Sequence, residues 1–180
     1  MLQAADLRFG YSDAPPGDVL DGVSLTVPSG RIVGILGPNG SGKTTLLRLL
    51  GGTLVPRAGQ VLFDGQNIRR IPRRRLAQRF AIVPQDTHLA FDYTVLEIVL
   101  MGRYPHLGAL EVEGPADLEI ARAALAATGT ETFERRPFTT LSGGERQRVV
   151  IASALAQLGG STGSPLVLDQ PTAALDPRLQ

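Results

Sequence analysis

The stretch Gly37, Pro38, Asn39, Gly40, Ser41, Gly42, Lys43, Thr44 has the residue types that hold phosphate, at the spacing G-x-x-x-x-G-K-[ST]. Glycines let backbone N–H groups turn inward around phosphate oxygens. A helix that follows adds the partial positive charge of its N-terminus. Lys43 is expected to reach the β- and γ-phosphates, and the Thr44 hydroxyl to ligate Mg²⁺. Thr45 completes the contacting set. The competing reading is a glycine-rich turn that happens to precede a helix. The flanking pattern, an aliphatic run before and an amphipathic helix after, argues for phosphate.

A second candidate anion site is Leu141, Ser142, Gly143, Gly144, Glu145. Ser142 and Glu145 have capping-box spacing, and the two glycines leave backbone N–H groups uncovered. A plain capped helix is the alternative. Near the end of the chain, the aliphatic run Leu166-Val167-Leu168 closes on Asp169, followed by Gln170.

These residues need elements to position them. Leu2 to Phe9 reads as a strand, Tyr11 to Asp18 as a Pro/Gly loop, and Val23 to Val27 as a half-buried strand by its alternation. Arg31 to Leu36 is a nearly continuous aliphatic run, the pattern of a strand buried on both faces. Lys43 to Leu50 is a helix with Leu46, Leu47 and Leu50 on one face. Strands are expected at Gln60 to Phe63 and Phe80 to Val83, with a short basic helix opened by Pro72 between them. From Thr94 to Leu158 helices and loops dominate: Val95 to Met101, a helix capped by Asp117 and stopped by Gly129, and another starting at Ser142. A mostly helical insert between two halves of an α/β core follows.

Composition sets bounds. A chain of 180 residues, 43% hydrophobic and 19% charged, supports one domain with a core. A formal net charge of +1 gives no global field toward nucleic acid or an anionic membrane. The arginines at 69, 70, 73, 74, 75 and 79 read as a solvated face rather than a nucleic-acid surface, because no aromatics interleave them. With no cysteine, disulfides and thiolate metal sites are excluded. His88 and His106 have no metal-ligand neighbours at useful spacing. No secretion signal or membrane-spanning run is visible, so a soluble cytoplasmic protein is expected.

The phosphate loop, the L-S-G-G-E stretch and a later strand ending in aspartate, in that order, resemble the nucleotide-binding domain of ABC transporters. The resemblance runs from about Leu2 to Pro177. It implies an α/β P-loop NTPase core with an antiparallel β segment at the N-terminus and an inserted helical subdomain, incomplete at the C-terminus. Residues 1–180 would form one ATP-binding domain, with 1–93 and 164–180 as the α/β core and 94–163 as the helical part. Tyr11 would stack on adenine, although a tyrosine after a strand can also serve packing. Gln85 would touch Mg²⁺ and the attacking water, Asp169 would bind Mg²⁺, and Asp176 would lie in the loop that faces the dimer partner. Ser142, Gly143 and Gly144 would act in trans on the γ-phosphate of a second subunit, with Glu145 counted in the same nucleotide-binding stretch.

A narrower similarity, in Tyr93 to His106 and Leu141 to Leu158, is to the ATPase subunits of iron-siderophore, haem and cobalamin importers. It implies a homodimer or paired ABC subunit on the inner face of the cell membrane. The partners would be a polytopic permease and, indirectly, a periplasmic binding protein, with no nucleic acid. Two departures from the family pattern are expected to impair hydrolysis severely. Gln170 stands where the family has a base glutamate, and no residue fills the place of its switch histidine. A third, Ser153 in place of an arginine, touches a surface or interface contact rather than the chemistry. The rival expectations are a non-hydrolysing ATP-binding fragment or trap, and a soluble ABC ATPase acting on nucleic acid or ribosomes. Long coiled coils or a second cassette would favour the last, and neither is present.

Overall fold

The computed structural model describes residues 1–11, 17–85, 91–161 and 163–169. Strands β1 (Leu2–Phe9) and β2 (Leu20–Val27) precede helix α1 (Lys43–Leu50). Then come β3 (Ala58–Phe63), β4 (Gln66–Asn67), α2 (Arg73–Ala77) and β5 (Ala81–Val83). Helices α3 (Val95–Met101), α4 (Pro115–Ala127) and α5 (Gly143–Leu158) follow, and β6 (Leu166–Leu168) comes last.

Four strands form an antiparallel sheet in the order β2-β1-β3-β4, with Leu2 opposite both Val27 and Phe63. The side chains Leu2, Ala4, Leu7 and Phe9 of β1 point into the main core with Val61 and Phe63, the alternation slipping by one residue between Ala4 and Leu7 where the register shifts. Helix α1 covers that core with Leu46, Leu49 and Leu50. Its buried face therefore runs through Leu49 rather than Leu47, which is only partly buried.

The expectation of a buried strand at Arg31 to Leu36 is not met. No strand forms there, and Ile32 and Leu36 are essentially fully exposed, at 101% and 95%. Of this run, Ile35 packs against the main core. An aliphatic run becomes a buried strand only where neighbouring strands supply its ladder and cover its faces. The parallel ladder that does form joins β5 to β6, with Ala81 opposite Leu166 and Val83 opposite Leu168.

The helices pack together through Val95, Ile98, Val99, Ala121, Leu125, Val149 and Ala152. Between Thr94 and Leu158 the described residues hold no strand, only an isolated bridge from Thr94 to Pro137. Asp117 does not cap α4 from outside. It is the third helical residue, and its carboxylate accepts the Gly114 N–H at 3.1 Å. Gly129 does stop the helix, with φ +63° and its N–H on Ala126 O at 3.1 Å. α3 and α5 approach closely. A Cβ on Gly102 would fall 2.2 Å from the Ser153 carbonyl oxygen, and Ser153 Oγ donates to Ile98 O at 3.0 Å.

Helix α5 joins this bundle to the parallel pair. Ala154 and Leu158 pack on Ala81 and Val83. Gln157 Nε2 donates to Ala77 O (2.7 Å) and Phe80 O (3.0 Å). Among the described residues, no helix is long and apolar enough to cross a membrane.

Candidate nucleotide site

The loop before α1 is held by its own backbone. Ser41 N–H donates to Pro38 O at 3.3 Å, and Gly42 caps α1 at φ +87°, a conformation that side chains beyond glycine rarely adopt. A Cβ there would also meet Leu20 Cδ2 at 2.9 Å, so β2 packs directly under the turn. Lys43 bends back over the loop: its Nζ donates to Gly37 O (2.8 Å) and Pro38 O (2.7 Å). The ammonium thus lies at the mouth of the loop, resting on neutral carbonyls that an anion can outcompete.

Beside it, Thr44 Oγ1 donates to Asp169 Oδ1 at 3.3 Å. Asp169 is buried, 7% exposed, and its N–H donates to Val83 O at 3.0 Å. That bond extends the β5–β6 ladder by one step and carries the carboxylate to the first turn of α1. Among the described residues, the Thr44 hydroxyl is the partner of this carboxylate. Burying a carboxylate against a single hydroxyl is costly. A hydroxyl and a carboxylate oxygen at this separation fit the oxygen preference of a hard divalent cation such as Mg²⁺.

Gln85 lies two residues past β5 and is exposed. The register Val83 to Leu168 puts it at the same strand end as Asp169, but no described hydrogen bond joins it to Thr44 or Asp169. Tyr11 comes to the other flank of α1. Its hydroxyl is 3.3 Å from Thr45 Oγ1, and its ring stands edge-to-face on Phe9, 4.9 Å between centroids.

Ser142 caps α5 as its spacing suggests. Its Oγ accepts the Glu145 N–H at 3.4 Å, and Glu145 Oε2 accepts the Ser142 N–H at 2.7 Å. That backbone bond, helped by the Ser142 side chain and the charges of Arg136 and Arg148, holds the Glu145 carboxyl below the usual carboxylate range. The box uses the N–H groups of Ser142 and Glu145 and leaves those of Gly143 and Gly144 as candidate donors at the helix end. No described hydrogen bond ties this helix end to the loop at Lys43. Gln170 and Asp176 lie outside the described residues, as do His88 and positions 12–16 of the expected loop.

Sequence reasoning missed a buried joint near α3. Arg103, 6% exposed, donates from Nε to Asp117 Oδ1 (2.9 Å) and from a terminal guanidinium nitrogen to Ala156 O (2.7 Å). His106 Nε2 sits 2.7 Å from Gln157 O. In the sequence an arginine and a histidine in a loop look solvated, and only the fold reveals the carbonyls that hold them. The arginine run is exposed at all six positions, as a solvated face; within it Arg74 donates to Pro105 O and His106 O, and Arg79 pairs with Asp64 at 2.7 Å.

The family model described as ABC transporter matches residues 20–173. A hemin import ATP-binding protein, HmuV of Pseudomonas entomophila, is 46% identical over 177 residues, which cover 98% of this chain and 66% of that protein. A cobalamin import ATP-binding protein, BtuD of Halobacterium salinarum, is 43% identical over 158 residues, 88% of this chain and 38% of that protein. The chain thus spans less than two thirds of the length of either relative. Among solved structures, cbiO1 of Clostridium perfringens, part of the transporter complex cbiONQ, superimposes with a TM-score of 0.79 at 32% identity. That match covers 98% of this chain and 68% of cbiO1.

Proposed function

The chain belongs to the ABC transporter family, and from that premise we propose that it is the ATP-binding subunit of an importer. The observation that carries this reading is the meeting of Thr44 with buried Asp169 beside the Lys43 loop. Lys43 exchanges the Gly37 and Pro38 carbonyls for the β- and γ-phosphates of ATP. Thr44 and Asp169 supply oxygens to Mg²⁺, with Gln85 as the third candidate ligand, and Mg²⁺ when bound would neutralise charge on the phosphate oxygens. Tyr11 offers its ring to the adenine.

The capped end of α5 serves a second copy. Its Gly143 and Gly144 N–H groups and the Ser142 hydroxyl meet the γ-phosphate held by that copy's loop, and the family resemblance gives Asp176 a role at the same interface. ATP therefore draws two subunits together, and the closure is passed to a membrane permease on the inner face of the membrane. The names of the hemin and cobalamin import relatives support a cargo of the iron-siderophore, haem or cobalamin class. Hydrolysis is slow as the chain stands. Gln170 can hydrogen-bond the attacking water but cannot accept its proton, and loss of a general base costs ~10²–10⁴ in rate.

Lys43→Ala tests the nucleotide assignment. Mg-ATP binding, measured by titration calorimetry, is expected to be lost while the circular dichroism spectrum is kept. Equal affinity in the two proteins would sink the assignment.

A further inference from the structure

We infer that Gln147 is a positioning residue: the amide of its side chain holds Gln85 toward the cation that Thr44 and Asp169 share. The inference rests on the ATP-binding reading above and deepens it. Gln147 lies in the second turn of α5. Its Nε2 is enclosed, and among the described residues it is the one buried side-chain nitrogen or oxygen without a hydrogen-bond partner. Leaving a buried donor unpaired costs more than an ordinary hydrogen bond returns. Such a group fits a contact that the ligand-bound site completes.

The fold says where that donor lies. Gln147 stands four, seven and eleven residues before Ile151, Ala154 and Leu158, which share one face of α5. That face packs on the parallel pair, through Ala81 and Val83. Near the other end of the helix Gln157 donates to Phe80 O, on the residue just before β5. Helix α5 leads through a short turn into β6, which is parallel to β5, so the helix runs against both strands. Ten residues of helix back from Gln157 cover about 15 Å, and five residues of strand on from Phe80 cover about 16 Å. Gln147 and Gln85 therefore come level just past the end of the ladder.

Gln85 needs such a hold. It is exposed and follows Pro84 beyond the last ladder bond, from the Asp169 N–H to Val83 O, and no described hydrogen bond fixes its direction. A donor from α5 on the Gln85 main-chain carbonyl leaves the side-chain oxygen free for the cation, which prefers oxygen ligands. A ligand oxygen ordered in this way spares part of the entropy of ordering it on binding.

Gln147→Met keeps the length of the side chain and its helix preference and removes the donor. Two probes separate its effects: ATP with Mg²⁺, and ATP with a chelator. ATP alone engages the Lys43 loop, so its affinity should be unchanged in this variant. The gain in affinity that Mg²⁺ gives the wild type should fall about three- to tenfold, the worth of one hydrogen bond. Gln85→Ala should lose at least as much of that gain, and adding Gln147→Met to it should cost nothing more. The unfolding temperature of the unliganded chain should hold or rise in Gln147→Met, because an apolar group has replaced an unpaired buried donor.

Calorimetric titration with both probes and thermal unfolding of the wild type, the two single variants and the double one decide it. An unchanged Mg²⁺ gain in Gln147→Met would overturn the inference. So would an additive loss in the double variant, since the two glutamines would then act apart. A lower unfolding temperature, or failure of Gln147→Met to fold, would do the same by assigning the amide to the fold alone. A wild-type chain that binds ATP in neither condition would instead overturn the ATP-binding reading, and wild-type affinity indifferent to Mg²⁺ would remove the cation site itself.

Discussion

Thr44 and Asp169 are 125 positions apart in the chain, and their side-chain oxygens stand 3.3 Å apart. Neither residue makes a site alone. The helix start delivers the hydroxyl, and the end of a strand paired to β5 delivers the carboxylate, so the candidate cation site exists only when α1 and β6 are both in place.

Asp169→Asn should uncouple ATP binding from Mg²⁺. The amide keeps the contact with Thr44 but brings no charge, and wild-type affinity should rise with Mg²⁺ while the variant's should not. Relieving a buried carboxylate should leave the fold as stable or more so. ATP titrations with Mg²⁺ and with a chelator decide it, and a variant whose affinity still rises with Mg²⁺ would remove Asp169 from the site.

Acid should unfold the chain through a defined set of carboxylates. The N-terminal ammonium, followed by Arg79, holds Asp64 low. The Thr94 N–H holds Glu97, the Arg103 guanidinium holds Asp117, and the Ser142 N–H holds Glu145. A carboxylate whose folded value lies below its unfolded one adds stability that is complete above the unfolded range of about 4. That stability is lost as pH falls through the lowered folded values. The unfolding temperature should be flat from about pH 7 to 5 and fall below about 4, and a temperature unchanged down to pH 3 would contradict the linkage.

Gly102→Ala should destabilise the helical bundle. The new methyl would collide with the Ser153 carbonyl, a backbone group that cannot step aside without parting α3 from α5. Overpacking of this kind costs about 1–3 kcal/mol. Urea denaturation of both proteins measures it, and identical midpoints would show that the helices sit farther apart.

Gln170→Glu supplies the missing proton acceptor. Phosphate release at saturating Mg-ATP should rise by about 10²-fold. No change would mean that another step, and not the amide, limits turnover.

The parts of the site legible in the sequence are those written within a few residues. Gly42 before Lys43 and Thr44 declares a turn that only glycine enters easily, and the helix that follows is found where its pattern puts it, at Lys43–Leu50. Ser142 and Glu145 are three apart, and their two hydrogen bonds form as that spacing suggests. What escaped depends on distant partners. Arg31 to Leu36 has the composition of a buried strand, yet composition cannot supply a neighbouring strand, and Ile32 is left in water. Arg103 beside Asp117 and Tyr11 beside Thr45 are pairs that no periodicity announces, because each partner lies on a separate element.

Gln157 fastens α5 near its C-terminal end, through Ala77 and Phe80. Ser142 sits at the far end of this 16-residue helix. At 1.5 Å per residue the rod is about 24 Å long. Because α5 is also packed on α3 and α4, the three helices turn together: tilting them by about 10° about the Gln157 end displaces the Ser142 end by about 4 Å, farther than a hydrogen bond reaches. If Ser142 meets a phosphate as proposed, a change of a few degrees at Gln157 is enough to make or break that contact.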